Sequence, residues 1–301
     1  MIFPIVVIFI ILLVFFLDHR IERMYQYEGR KHRITPEKHQ IAFDVVHIPS
    51  AKDTHLYGWW IPVSPDSPTL ILIHGWGHNL ARMMPYIRAL HPLGYNLLAF
   101  DARNHGHSSP VKQPSIETFT EDALAVVDFI VESGLVSKAH IGIVGLSVGG
   151  GAGINTASWD PRVKSVITVG AFSHPIDVMN LEFQKKKIPN IIPWLLFKYM
   201  RLRFGIDFDK FAPLNNITQA NAHIFLIHGE QDETIPLSQG QALAGAGNPQ
   251  SARFWVVPGK GHSDCHTHPQ FWEKVEAFLQ LTLSVPKRAT SFVEESKIIE
   301  Y

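Results

Sequence analysis

The chain has 301 residues, room for one large domain or two small ones, and at 46% hydrophobic and 18% charged it excludes global disorder. Lysine plus arginine equals aspartate plus glutamate at 27 each, so there is no basic surplus for nucleic acid and no acidic tail. The single cysteine, Cys265, excludes an intrachain disulfide and points to a fold that needs no covalent staple.

The chain opens on MIFPIVVIFIILLVFFL, apolar from Met1 to Leu17. As a helix this run would be roughly 25 Å long, within the range of membrane-spanning segments. A cleaved signal would want basic residues before the run and a small-residue cleavage site after it, and neither is present. A buried core helix is the third alternative. The reading is a single-pass N-terminal anchor over residues 1–17, followed by a polar juxtamembrane linker over 18–40. Arg20, Arg23, Arg30, Lys31 and Arg33 all follow the run, so the positive-inside rule expects the bulk of the protein in the cytoplasm.

IAFDVVHIP and THLYGWWIP have strand-like composition and a turn signal between them, Ser50 to Asp53, which predicts a hairpin. Then come TLILIHG, YNLLAFD, AHIGIVG, VKSVITVG, AHIFLIHG and ARFWVVPG. Each is a short continuous apolar run, as expected of strands buried on both faces. Helical segments lie between them. NLARMMPYIRALHPLG has Asn79 as its cap, SIETFTEDALAVVDFIVESG opens on Ser115, and PQFWEKVEAFLQL closes the series. Alternation of strand and helix predicts an α/β domain over residues 41–284 with a mostly parallel sheet. Residues 172–212 do not read as sheet. They read as an aromatic, basic helical cap, broken at Pro189 and Pro193, whose apolar face would cover a pocket and whose charges would be solvated; a cap that also rests on an anionic leaflet is the alternative. Residues 285–301 lack an apolar face and read as a tail.

In such sheets ligands bind beyond the carboxyl ends of the strands. There the sequence places His74-Gly75-Trp76-Gly77, Asp101 to Ser108, Ser147, Gly229 to Pro236 and Gly259 to His262. Gly145-Leu146-Ser147-Val148-Gly149 is G-x-S-x-G, a spacing that suits a serine on a sharp strand-to-helix turn. Its hydroxyl needs a base, and the base an orienting acid. Asp232 and His262 follow the next strand ends, with Glu230 and Glu233 as rival acids.

With these residues the chain resembles the α/β-hydrolase-fold serine hydrolases of the esterase, lipase and aminopeptidase type, over roughly residues 40–283. H-G-x-x-D-x-x-(V/I)-P is matched by His228, Gly229, Asp232, Ile235 and Pro236; G-x-x-H by Gly259 and His262; H-G-x-x by His74 to Gly77. DARNHGHS departs from the family's D-x-R-G-H-G-x-S in having Asn104 for glycine. The resemblance implies the α/β-hydrolase fold and a Ser147, Asp232, His262 triad. It also implies an oxyanion hole from the backbone N–H groups of Trp76 and Val148, an acyl ester as substrate, and no metal or organic cofactor. Acyl transfer or amide cleavage by the same residues, or a non-catalytic binding role, are the alternatives. His262, His266 and His268 with Cys265 lack the ligand spacing of a zinc finger and read as a loop. Asn216-Ile217-Thr218 fits a glycosylation acceptor, relevant only in a secretory compartment.

Overall fold

The computed structural model describes residues 2–25, 31–138 and 140–285; within the first helix the side chains of residues 2–7, 9–11, 13, 24 and 25 are outside that description. The expected tail beyond residue 285 lies outside the described residues, as do Met1 and most of the side chains of the expected anchor over 1–17. Among the described residues no helix is long and apolar enough to cross a membrane.

The element order is α1 (Ile2–Tyr25), β1 (Asp44–Ser50), β2 (Thr54–Ile61), β3 (Thr69–Ile73), α2 (Met84–Leu90), β4 (Asn96–Phe100), α3 (Ile116–Glu132), β5 (Ile141–Leu146), α4 (Val148–Trp159) and β6 (Val163–Val169). Then follow α5 (Pro175–Lys185), α6 (Ile191–Phe204), the short α7 (Pro213–Asn216), β7 (His223–Gly229), α8 (Leu237–Ala246), β8 (Ala252–Val257) and α9 (Phe271–Thr282). The eight strands form one sheet in the order β1-β2-β4-β3-β5-β6-β7-β8. β1 and β2 pair antiparallel as the expected hairpin, β2 runs antiparallel to β4, and every other pairing is parallel.

The continuous apolar runs form central strands because helices cover both faces. Leu70, Ile71, Leu72 and Ile73 of β3 are all fully buried. Leu70 and Leu72 join the α2 and α9 side, with Ile87, Phe271 and Phe278; Ile71 and Ile73 join the α3 and α4 side, with Phe119, Val126 and Ile154. That division is the two-residue alternation of a strand. α3 is capped by Ser115, whose hydroxyl accepts from the Thr118 N–H while the Thr118 hydroxyl accepts from the Ser115 N–H.

Three local expectations change. The segment from Asn79 to Gly94 is one α-helical turn set, Met84–Leu90, between two 3-10 turns, Leu80–Met83 and His91–Leu93; Asn79 still caps it, accepting from Ala81 N–H at 3.2 Å. Residues 18–25 continue α1 instead of forming a polar linker, because Ile21 is buried against the α6 region. Pro193 does not break the cap: it sits in the first turn of α6, where a backbone N–H would have no helical partner. The break lies at residues 186–190, with Lys187 in a left-handed conformation.

The strand order sets the position of the site. β3 has β4 on one side and β5 on the other, so the chain leaves β3 in one direction and returns on the opposite side. A crevice opens at such a reversal, outside the carboxyl ends of the two strands. Ile73 pairs with Gly145, which sets the loop after β3 beside the turn after β5.

Candidate active site

Ser147 stands at the β5–α4 turn with φ 53° and ψ −118°, a backbone conformation that costs about 1–3 kcal/mol for a residue with a side chain. The surroundings over-determine it. The Ser147 N–H donates to Val169 O at 2.8 Å, and its carbonyl accepts from the N–H groups of Gly150 and Gly151. The two flanking glycines are needed sterically. A Cβ at Gly145 would lie 2.3 Å from Gly149 O, and one at Gly149 would lie 2.6 Å from the carbonyl oxygens of Ile73 and His74. Without those side chains α4 starts tight against the sheet and lifts the serine out of it.

The other two predicted residues come together on the neighbouring loops. β7 and β8 are adjacent, and the loops that follow them are tied by Gln231 N–H to Lys260 O at 2.8 Å and Glu230 N–H to Val257 O at 3.0 Å. His262 Nδ1 donates to Asp232 Oδ2 at 2.7 Å. Asp232 Oδ1 accepts from Thr234 N–H at 2.9 Å and Ile235 N–H at 2.8 Å, so the carboxylate is fixed by three donors. Behind it, buried His228 donates through Nε2 to Ile235 O at 2.8 Å and secures the same turn. Burial lowers the His228 pKa, which keeps the ring neutral. Of the rival acids, Glu230 turns away to accept from Gly259 N–H at 2.9 Å, and Glu233 is exposed.

Ser147 and His262 line one cavity of about 370 Å³, with Gly75, Trp76, Arg82, Tyr86 and Thr234. The Asp232 bond occupies His262 Nδ1, which leaves Nε2 as the nitrogen with a lone pair to offer. No residue of α5 or α6 lines this cavity, so the expected cap does not roof it.

The loop after β3 is organised by two neutral histidines. His74 is fully buried and accepts from Ala102 N–H through Nε2 at 3.1 Å, so its Nδ1–H donates to Gly75 O at 2.8 Å. Burial drives the His74 pKa down to about 3, so the ring carries no charge. A trans peptide is planar, with its C=O and N–H opposed. Pinning the Gly75 carbonyl therefore fixes the direction of the Trp76 N–H. Gly77 N–H donates to His105 Nε2 at 3.2 Å, and His105 Nδ1 donates to Arg103 O at 3.1 Å. Val148 opens α4, and its N–H is among those that a helix cannot pair internally.

The DARNHGHS loop supports that turn from behind. Asp101 is fully buried, with Oδ1 accepting from Leu80 N–H at 2.8 Å and Oδ2 from His107 N–H at 2.9 Å and His32 Nε2 at 2.8 Å. Asn104 takes φ 67°, the left-handed conformation that glycine would adopt and that asparagine tolerates best among the larger residues. Its substitution for glycine leaves the loop intact.

Two marginal motifs resolve elsewhere. Asn216 is not presented as a glycosylation acceptor: its amide is buried and donates to Asn155 Oδ1 at 2.9 Å and Lys210 O at 2.8 Å. Cys265 is buried, its thiol donates to Gly261 O at 3.4 Å, and burial pushes its pKa up to about 12. His268 accepts from Gln270 N–H and packs edge-on to Trp255.

Sequence reasoning missed Arg82, which lines the cavity from the 3-10 turn after Asn79 and donates to Ser263 O at 2.7 Å. No local pattern marks it, because its partner lies 181 positions away.

Comparison with known proteins agrees with this architecture. Residues 68–200 match a family model described as alpha/beta hydrolase fold. The chain is 25% identical over 280 residues to YfhR of Salmonella typhi, covering 86% of this chain and 87% of that protein. It is 21% identical to protein bem46 of Schizosaccharomyces pombe (83% and 81% covered), and 24% identical to mouse alpha/beta hydrolase domain-containing protein 17C (79% and 68%). Among solved structures, the Pyrococcus furiosus esterase Pf2001 superposes with a TM-score of 0.69 at 23% identity, covering 85% of this chain and 99% of that one. The chain has the α/β-hydrolase fold.

Proposed function

We propose that this protein is a serine hydrolase that cleaves carboxylic esters, with Ser147 as nucleophile, His262 as base and Asp232 as the orienting acid. The observation that carries this reading is the 2.7 Å His262–Asp232 bond in the wall of the cavity that also exposes Ser147 on its strained turn. The fold shared with a Pyrococcus furiosus esterase supports the same class.

The reaction runs in two halves. His262 Nε2 takes the Ser147 hydroxyl proton as Oγ bonds to the ester carbonyl carbon. The carbonyl oxygen becomes an oxyanion, held by the N–H groups of Trp76 and Val148; each such donor lowers the barrier by about 3 kcal/mol. Asp232 stays ionised and stabilises the imidazolium. The imidazolium then protonates the leaving alcohol as its C–O bond breaks. Water repeats the sequence on the acyl-enzyme, releasing the acid and restoring Ser147. No step calls on a metal or organic cofactor.

The test is a fluorophosphonate probe on the full chain. The wild type should be labelled covalently and Ser147→Ala should not; labelling that survives the substitution overturns the assignment.

Arg82 sets a preference among esters. It is half-buried in the cavity wall, spends one Nη on Ser263 O, and has no carboxylate partner among the described residues. A cation so placed favours an ester that carries an anionic group near the scissile bond. Arg82→Gln should lower kcat/KM for a carboxylate-bearing ester roughly 10- to 100-fold and leave its neutral isostere within about threefold. Steady-state kinetics on the matched pair check this, and equal losses on both would mean that Arg82 only braces the His262 loop.

The apolar run Met1–Leu17 serves in this proposal as a single-pass anchor, with the basic residues from Arg20 to Arg33 holding the hydrolase domain on the cytoplasmic side.

A further inference from the structure

Another cavity lies away from Ser147. It is a groove of about 740 Å³ between α5 and α6, lined by Ile176, Asn180, Trp194, Phe197, Lys198 and Leu202, among others. Its setting has three features that belong together.

The first is the outer face of α6. Pro193, Phe197 and Met200 point inward, and Ile191, Ile192, Trp194, Leu195 and Leu202 stand 50–80% exposed. Ile191, Leu195, Lys198 and Leu202 follow at intervals of four, three and four residues, the spacing of one stripe along a helix. Lys198 lies along that stripe, its ammonium 5.2 Å from the Trp194 ring. An apolar stripe of this size is not left to water without a reason.

The second feature is charge. Residues 172–212 carry Lys185, Lys186, Lys187, Lys198, Arg201, Arg203 and Lys210 against Asp177, Glu182, Asp207 and Asp209, with Arg201 paired to Asp209. The three consecutive lysines are exposed at the end of α5, beside the start of α6.

The third is the tie to α1. Ile21 is buried in a small core with Phe197, Met200 and Phe208. Asp18 accepts from the Tyr199 hydroxyl and pairs with Arg203 at 3.0 Å. The first acidic residue after the apolar run is thus fastened to α6. N-terminal to that clasp, Ile8, Leu12, Phe15 and Phe16 are exposed. The apolar helix and the apolar stripe emerge from one place on the fold.

We propose that the outer face of α6 rests in the headgroup region of an anionic lipid leaflet, the same leaflet that α1 enters. The Asp18–Tyr199–Arg203 clasp then marks the boundary between lipid and protein. Trp194 and the aliphatic stripe reach the upper acyl chains, and the lysines meet the headgroups, as in helices that lie in the interface plane. A second copy of the chain would cover the stripe, but it would leave α1 and the basic excess unexplained. This also gives the cap a use that fits its absence from the catalytic cavity wall. The proposal does not rest on the esterase reading, and its test needs no turnover.

The test uses the full chain. Cys265, the only cysteine, is buried, so a cysteine introduced by Leu202→Cys takes an environment-sensitive dye selectively. A dye at Leu281→Cys on α9, outside the cap, is the control. Vesicles are phosphatidylcholine alone or phosphatidylcholine with phosphatidylserine at about three to one. With the anionic vesicles the dye at 202 should shift to the blue, brighten roughly two- to threefold and be quenched by spin-labelled lipid. The dye at 281 should do none of these. Changing Lys185, Lys186, Lys187 and Lys198 to Glu should abolish the response at 202 while the protein stays with the vesicles through α1. The proposal is overturned by a water-like spectrum at 202 on anionic vesicles, by failure of the chain to bind them, or by a response that ignores phosphatidylserine and the lysine changes. It is equally overturned by a shift that grows with protein concentration in the absence of lipid, which would assign the face to a second copy.

Discussion

Replacing Asp232 by Asn should lower kcat/KM for a carboxylic ester about 10⁴-fold while leaving stability nearly unchanged. The carboxylate has two separate duties. Oδ1 accepts from Thr234 and Ile235 N–H, and an asparagine oxygen can still do that. Oδ2 accepts from His262 Nδ1 at 2.7 Å, and an amide NH₂ in that place is a donor. His262 would then have to accept at Nδ1, which moves its proton to Nε2. The nitrogen facing the cavity would become a donor, unable to take the Ser147 proton. Steady-state kinetics and the rate of fluorophosphonate labelling should fall together, with an unchanged melting curve. A loss of less than tenfold would mean that Glu230 or Glu233 can orient the imidazole, against their present positions.

Arg103→Leu should cost about 3–5 kcal/mol of stability and give it a new pH dependence. Arg103 is buried; its guanidinium pairs with Asp122 and with Glu121 at 2.6 Å. Asp122 also accepts from Arg103 N–H at 2.7 Å and from the Ser50 hydroxyl at 3.1 Å. The cluster joins the DARNHGHS loop, α3 and the β1–β2 hairpin. Burial, the largest single influence, would lower the Arg103 pKa, but the Asp122 and Glu121 carboxylates together outweigh it and the net shift is upward. Burial likewise pushes Asp122 up, to about 6 from its ordinary 3.8, against the pull of Arg103. Without the guanidinium that rise is less opposed. A carboxyl whose folded pKa lies above its unfolded value adds stability at pH below the unfolded value and loses it as pH rises through the folded one. The variant should therefore be weaker at pH 8 than at pH 5, relative to wild type at each pH. Urea unfolding at the two values measures this; a deficit below about 1 kcal/mol, or one independent of pH, would show that the loop does not depend on the pair.

Much of this was legible along the chain. The strands showed as continuous apolar runs because each is covered on both faces, and a strand such as Leu70–Ile73 has no solvent side to mark with polar residues. The turn at Ser147 was legible because steric need for Gly145 and Gly149 leaves a fixed local spacing. Asn104 is the instructive departure, since it breaks the expected pattern but keeps the backbone conformation. Other features mislead along the chain for the same reason that they matter. Pro193 looks like a helix breaker until the helix is known to begin two residues earlier. Asn216 looks like an exposed acceptor until Asn155 is found beside it.

By itself the sequence determined the strand and helix alternation, the sharp serine turn and the loops in which an acid and a histidine follow two later strands. These are local properties, fixed by periodicity, by glycine geometry and by where apolar runs end. Only the tertiary structure decided that Arg82 lines the same cavity as Ser147, that His74 pins the Gly75 carbonyl, and that Asp18 of α1 is clasped to α6. Each of those depends on a contact or a buried environment that exists only after distant segments have packed, and no spacing in the chain encodes it.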